Sequence, residues 1–241
     1  MNIALIGYGQ MGKEIEDIAL RRGHTITCKI SSQNLNEFNP RVLQWADVAI
    51  EFTTPESAFN NIKQCIDAGV PVISGTTGWL NKKEEIDKIC SLQNGSFLYA
   101  SNFSIGVNIF FEINKKLASL MQKYEVYDVQ IKEIHHTKKL DKPSGTAITL
   151  AKDIIDNLTF KKVWTITSPS EKNSRNLYIE SERTDPAPGT HIVKYFSEID
   201  TIEIVHTAHS RKGFAAGAVL AAEWLLGKKG VFTMKDVLEI I

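Results

Sequence analysis

The chain is short of cysteine, has no excess charge of either sign and carries no long apolar run, and each shortage removes a class of protein. Its 3 cysteines, Cys28, Cys65 and Cys90, are odd in number and widely spaced. That pattern fits neither a disulfide framework nor a metal-ligand pair, so a reduced, cytoplasmic location is expected. Lys plus Arg number 28, as do Asp plus Glu, for a formal net charge of +0. Bulk charge therefore does not draw this protein to nucleic acid or to a membrane surface. No apolar run approaches the roughly 20 residues that cross a bilayer. Met1-Asn2 leads straight into an apolar segment, with no basic-then-apolar leader. There is no internal repeat and no low-complexity segment. What is there is 241 residues of ordinary apolar content, enough for one large domain or two modest ones.

The first hundred residues alternate. Apolar runs at 2–6, 25–30, 48–52, 70–73 and 97–100 read as strands, and helical spacing marks the segments between them. Gly23 and Gly69 stop the first two helices, and Pro55 stands near the first turn of the second. Strands alternating with helices predict an α/β fold, a Rossmann-type doubly wound parallel sheet. The pattern changes near 101–105. A longer helix at 107–124 is followed by strands at 126–134, 177–182, 192–196 and 201–208, with Pro186 and Pro188 in a turn. These predict a second, α+β domain. Helices return at 213–226 and 234–241. The expected division is 1–104, completed by 215–241, and 105–214.

Between the first strand and helix lies Gly7-Tyr8-Gly9-Gln10-Met11-Gly12. In a βαβ unit the first glycine permits the tight turn, the second lets a pyrophosphate approach the backbone, and the third lets helix and strand pack closely. A dinucleotide site follows. An Asp or Glu at the end of the second strand would favour NADH by binding the ribose hydroxyls. This chain has Lys29-Ile30-Ser31-Ser32 there, with no acid and no arginine. Ser31, Ser32 and an inward-facing Lys29 favour NADPH, with NADH as the open alternative.

The densest group of proton-active residues runs from Glu133 to Ala147. His135 and His136 follow the strand at 126–134, Lys138, Lys139 and Lys142 come next, and Ser144-Gly145-Thr146 opens a helix. Amides at a helix start favour an anion, and imidazoles move protons near neutral pH. The reading is a carboxylate site beside a general acid. Adjacent strand histidines point to opposite faces and no acid appears at ligand spacing, so no metal is expected.

The chain resembles the dihydrodipicolinate reductase family, also called 4-hydroxy-tetrahydrodipicolinate reductases, nearly end to end. The resemblance is carried by the glycine loop, Phe52-Thr-Thr-Pro55, Gly75-Thr-Thr-Gly78, Asn102-Phe-Ser-Ile-Gly-Val-Asn108, the Glu133–Ala147 segment and His209-Ser-Arg-Lys-Gly-Phe-Ala215. It implies NADPH- or NADH-dependent reduction of a cyclic dicarboxylate in the diaminopimelate route to lysine, by a homotetramer that closes on a hinge. By position, Gly7, Gly9, Gln10, Met11 and Gly12 would bind the cofactor pyrophosphate. Phe52, Gly75, Thr76 and Thr77 would line its groove, with Ala100, Ser101, Asn102 and Phe103. His135 would be the general acid and Lys139 the catalytic lysine. His136, Ser144, Gly145, Thr146 and Arg211 would hold substrate carboxylates, and Lys138 would be solvated.

The sequence departs from the family in lacking an acid after the second strand, in being short for the family, and at two further positions. Gln10 replaces a frequent arginine, with Lys13 nearby, and Asp185 replaces the usual first glycine of the turn at 183–191. Two rival readings are weaker. A Rossmann dehydrogenase for another small acid does not need the His-His-x-x-Lys loop. A nucleotide sensor without turnover would be expected to have lost His135, Lys139, Gly145 or Thr146.

Overall fold

The structure, a computed structural model, describes residues 1–167 and 175–240. The chain divides into two compact units, Met1–Ile105 with Lys212–Ile241, and Gly106–Arg211.

The first unit opens with β1 (Asn2–Ile6), α1 (Gln10–Arg21), β2 (Thr25–Ile30), the one-turn α2 (Pro40–Leu43), β3 (Val48–Glu51), α3 (Pro55–Asp67), β4 (Val72–Ser74), α4 (Lys83–Leu92) and β5 (Ser96–Tyr99). β4 starts two residues later than expected. Pro71 has no N–H for the ladder, although its carbonyl accepts from the Ala49 amide at 2.8 Å. Helix α1 buries Gly12, Ile15 and Ala19, a one-sided stripe, and Gly23 (φ 81°) turns the chain out of it.

The second unit holds α5 (Ile105–Met121), β6 (Asp128–His135), α6 (Gly145–Asn157), β7 (Val163–Thr165), β8 (Asn176–Arg183), β9 (Gly189–Phe196) and β10 (Thr201–Ala208). The chain then returns to the first unit with α7 (Lys212–Leu225), β11 (Gly230–Phe232) and α8 (Met234–Val237). The last helix is shorter than expected because Glu239 adopts φ 53°, which ends it. Ile241, the final residue of that expected helix, lies outside the described residues.

The first sheet has the order β11-β5-β4-β3-β1-β2, and every pairing is parallel. β3 and β4 are buried along their whole length, as a strand covered on both faces must be. One face packs on α1, α7 and α8 through Ile15, Ala19, Val219, Leu225 and Met234. The other packs on α3 and α4 through Ile62, Cys65, Ile86 and Cys90. This is the doubly wound α/β architecture. Strand β11, three residues long, had no readable period and joins the sheet by pairing with β5.

The second sheet is mixed, with the order β10-β9-β6-β8-β7. β6 alternates strictly, turning Val129, Ile131, Glu133 and His135 inward. Val129 and Ile131 meet Leu150, Ala151 and Ile154 of α6 in the core. The buried face of β6 therefore begins apolar and ends in an acid and an imidazole. β8 and β9 flank β6 on opposite sides, so residues 184–188 cross over its carboxyl end, next to His135.

Candidate active site

In the first unit the three loop glycines differ in their surroundings. Gly7 has φ 101°, and a Cβ there would lie 1.9 Å from the Phe52 carbonyl oxygen. A Cβ on Gly12 would lie 2.5 Å from the Gly7 oxygen, so helix and turn meet closely. A Cβ on Gly9 would meet nothing within 4 Å, so the space beside it is open. Gln10 is exposed and Met11 half-buried at the start of α1.

Lys29 is engaged by a helix residue. Its Nζ pairs with Glu16 Oε1 at 2.6 Å and lies 5.0 Å from the Tyr8 ring centroid, while the Tyr8 hydroxyl also donates to Glu16. The Lys29 and Tyr8 hydrogen bonds hold the Glu16 carboxyl below its ordinary range. An acid does stand at the end of the second strand, but it comes from α1. Ser31 is engaged with Asn34, whose Oδ1 accepts from its amide at 2.8 Å, and Ser32 is exposed.

The Phe52 ring covers Gly75, where a Cβ would lie 2.2 Å from Phe52 Cε1, and stands 5.6 Å from the Phe103 ring. Phe103 is buried in the core of the unit, and its carbonyl approaches Gly217 so closely that only glycine fits there. Its side chain is therefore a packing element. Thr76 is buried and Thr77 exposed. Ala100 is buried, Ser101 is exposed, and Asn102 Oδ1 accepts from the Ser104 amide at 2.9 Å.

In the second unit a buried polar cluster gathers at the carboxyl end of β6. His135 Nε2 lies 3.5 Å from Glu133 Oε2 and 3.4 Å from His191 Nε2. The Ser144 amide donates to both Glu133 oxygens, at 3.1 and 3.0 Å, and Arg183 donates to Oε1 at 3.0 Å. Ser144 Oγ caps α6 by accepting from the Ala147 amide at 3.2 Å and also lies 3.2 Å from His191 Nε2. Burial alone would raise the Glu133 pKa. The His135, Ser144 and Arg183 hydrogen bonds overcome it and hold the carboxyl far below its usual range. Burial, with His135 adding to it, depresses His191 to about 3, so this ring is neutral at pH 7. Gly189 makes room for the site, since a Cβ there would lie 2.9 Å from His135 Cε1.

Around this cluster, Lys139 Nζ pairs with Asp141 at 2.7 Å, and its carbonyl accepts from Arg183 Nε at 3.4 Å. His136 is half-buried and Lys138 exposed. Gly145 and Thr146 occupy the first turn of α6, where amides have no intrahelical partner. Arg211 is the exposed last residue of this unit.

Comparison with known proteins gives the family. Residues 1–103 match the family description "Dihydrodipicolinate reductase, N-terminus" and residues 106–238 match "Dihydrodipicolinate reductase, C-terminus". The 4-hydroxy-tetrahydrodipicolinate reductase of Christiangramia forsetii is 51% identical over 99% of this chain and 98% of its own. The chain belongs to the dihydrodipicolinate reductase family. The reductase of Thermosipho africanus is 33% identical over 99% of this chain and 98% of its own. In fold, the chain is similar to the dipicolinate-bound dihydrodipicolinate reductase from Paenisporosarcina sp. TG-14, with TM-score 0.75, 21% identity and 98% of each chain covered.

Within this family frame, the structure corrects two readings. An acid does stand at ligand distance from His135. Ligand atoms of Glu133, His135 and His191 lie within 4.8 Å of one another. Glu133 is two residues back on the same strand face, a spacing the alternation of β6 already contained. Because Arg183 and the Ser144 amide occupy that carboxylate, the cluster is built as a hydrogen-bond network. Ser144, expected to meet substrate, turns its amide and hydroxyl inward to Glu133, His191 and Ala147. His191 and Arg183 carried no local signal, since they lie 56 and 50 residues from the groups they bond.

Proposed function

We propose that this protein catalyses the nicotinamide-dependent reduction of 4-hydroxy-tetrahydrodipicolinate to tetrahydrodipicolinate, in the diaminopimelate route to lysine. The observation that carries this reading is family membership through both units, with a relative named for that reaction 51% identical over 99% of the chain.

A bound reduced nicotinamide supplies the hydride. Gly7, Gly9, Gln10, Met11 and Gly12 hold its pyrophosphate, and the open space at Gly9 fits that group. Phe52, Gly75, Thr76 and Thr77, with the backbone of 100–103, enclose the ring. Loss of the substrate's 4-hydroxyl as water leaves a conjugated imine, and reduction at C4 leaves an enamine that needs one proton at C3. His135 delivers it from a ring nitrogen. The buried Glu133 carboxylate, 3.5 Å from the His135 Nε2, orients the ring, and Arg183 and Ser144 keep that carboxylate ionised. Lys139 offsets charge on the substrate. The amides of Gly145 and Thr146 take one carboxylate, helped by His136 and Arg211.

For the nucleotide, the pairing of Lys29 with Glu16 weakens the case for NADPH alone. We read the site as accepting both NADPH and NADH. Assembly into a homotetramer belongs to the same reading, and sedimentation equilibrium tests it.

The deciding assay follows nicotinamide absorbance while a synthase generates the ring from pyruvate and aspartate semialdehyde. Substrate-dependent oxidation of either nucleotide supports the reductase. Nucleotide binding without oxidation would overturn it.

A further inference from the structure

Glu51, the last residue of β3, is an acid in the sequence Val48-Ala-Ile-Glu51 and is fully buried. Among the described residues no basic side chain pairs with it. Hydroxyls and an amide surround it instead. Ser74 Oγ donates to Oε2 at 2.6 Å. Thr76 Oγ1 donates to Oε1 at 2.9 Å and the Thr53 amide at 3.1 Å, and the Thr53 hydroxyl donates to the same oxygen. The Thr53 amide also reaches Thr76 Oγ1 at 2.8 Å. Asn61 Nδ2 and Ser57 Oγ then brace the Thr53 hydroxyl at 3.1 and 2.9 Å.

A buried, unpaired carboxylate is a costly way to stabilise a sheet, and an apolar residue would fill this position more favourably. Burial pushes the Glu51 pKa up, while the surrounding donors oppose it. The donors identify what the residue does. They come from the segment after β3 and the segment at the end of β4, neighbouring parallel strands whose carboxyl ends form the ligand edge of such a sheet. Those same segments carry Phe52, Gly75, Thr76 and Thr77, and the Phe52 ring packs directly on Gly75.

We propose that Glu51 is a positioning residue, a buried tie between the two loops that sets the shape of the nicotinamide-facing surface. The inference rests on the reading that these loops face the nicotinamide.

Its test compares NADH with ADP-ribose, which lacks only the nicotinamide. Glu51→Ala should weaken NADH binding about tenfold and lower kcat, while ADP-ribose affinity stays within about twofold. Glu51→Gln keeps the shape and one acceptor oxygen and should restore most of the loss. Thr76→Val deletes a single tie and should shift NADH binding the same way by less, which keeps the test decisive if Glu51→Ala fails to fold. Equal weakening of both ligands, or no weakening of either, would overturn the positioning role. A wild-type protein that binds ADP-ribose as tightly as NADH would instead overturn the nicotinamide reading of these loops, and the inference with it.

Discussion

His135 occupies 7% of its exposed area, and its Nε2 faces both a carboxylate and a second imidazole. An imidazole so enclosed has its tautomer and ring plane set by its neighbours, as the proposed proton donor requires. Replacing it with glutamine keeps the size and removes the proton. We expect kcat to fall by about a hundredfold with NADH affinity unchanged, measured by steady-state rates and fluorescence titration. A loss of nucleotide affinity instead would place His135 in the wrong site. His191 makes a separate, pH-dependent contribution. Its folded pKa is depressed to about 3, below the ordinary value near 6.5. The unfolded chain therefore takes up this proton first as the pH falls. The stabilising contribution is complete above pH about 6.5 and is lost progressively toward pH about 3, at up to ~1.4 kcal/mol per pH unit. His206, also depressed by burial, acts in the same direction. Glu133 stays ionised in both states until the pH falls toward about 4.3. His191→Phe should then reduce, without abolishing, the drop in urea midpoint between pH 6.5 and 5. An unchanged drop would mean the ring is not held neutral.

At the scale of elements, each site grows from the end of a strand, and the turn chemistry decides what can stand there. The glycine loop offers a paired test. Gly9→Val adds bulk where a Cβ meets no atom within 4 Å, so the fold should survive while nucleotide affinity falls beyond detection. Gly7→Ala drives a Cβ to 1.9 Å from the Phe52 carbonyl oxygen at a positive φ, so it should lower the melting temperature by several degrees as well. Equal thermal stability of the two variants would contradict this division of roles. These elements were largely legible in the sequence. Apolar strands, the stops at Gly23 and Gly69, and the strict alternation of β6 are local features, written over a few residues each. The misses had local causes too. Pro71 delays β4, Glu239 ends α8 early, and β11 is too short to show a period.

The whole molecule depends on the return of the chain after the second unit. Eight of the 18 buried residues in one core of the first unit come from α7 and α8, including Val219, Leu225 and Met234. Each large apolar side chain lost from such a core costs about 2–5 kcal/mol, against a total stability of about 5–15 kcal/mol. A chain ending at residue 211 should therefore lose the first unit's cooperative thermal transition and its nucleotide binding together, by calorimetry and fluorescence titration. Retained binding would show that the first 105 residues fold alone.

Composition, the spacing of glycines and prolines, and strand and helix periods are short-range properties. By themselves they determined the α/β sheet, the α+β segment after it and the two loops worth attention. Only the tertiary structure decided which side chains meet. β6 lies between β8 and β9, so Glu133 and His135 are joined by Arg183 and His191 from neighbouring strands, and by Ser144 from the start of α6. Lys29 finds Glu16 across the β2–α1 boundary, and Glu51 finds Ser74 and Thr76 from the next strand. Such meetings follow from strand order and register. Those are set by burial summed over the whole chain, and no local window of sequence contains them.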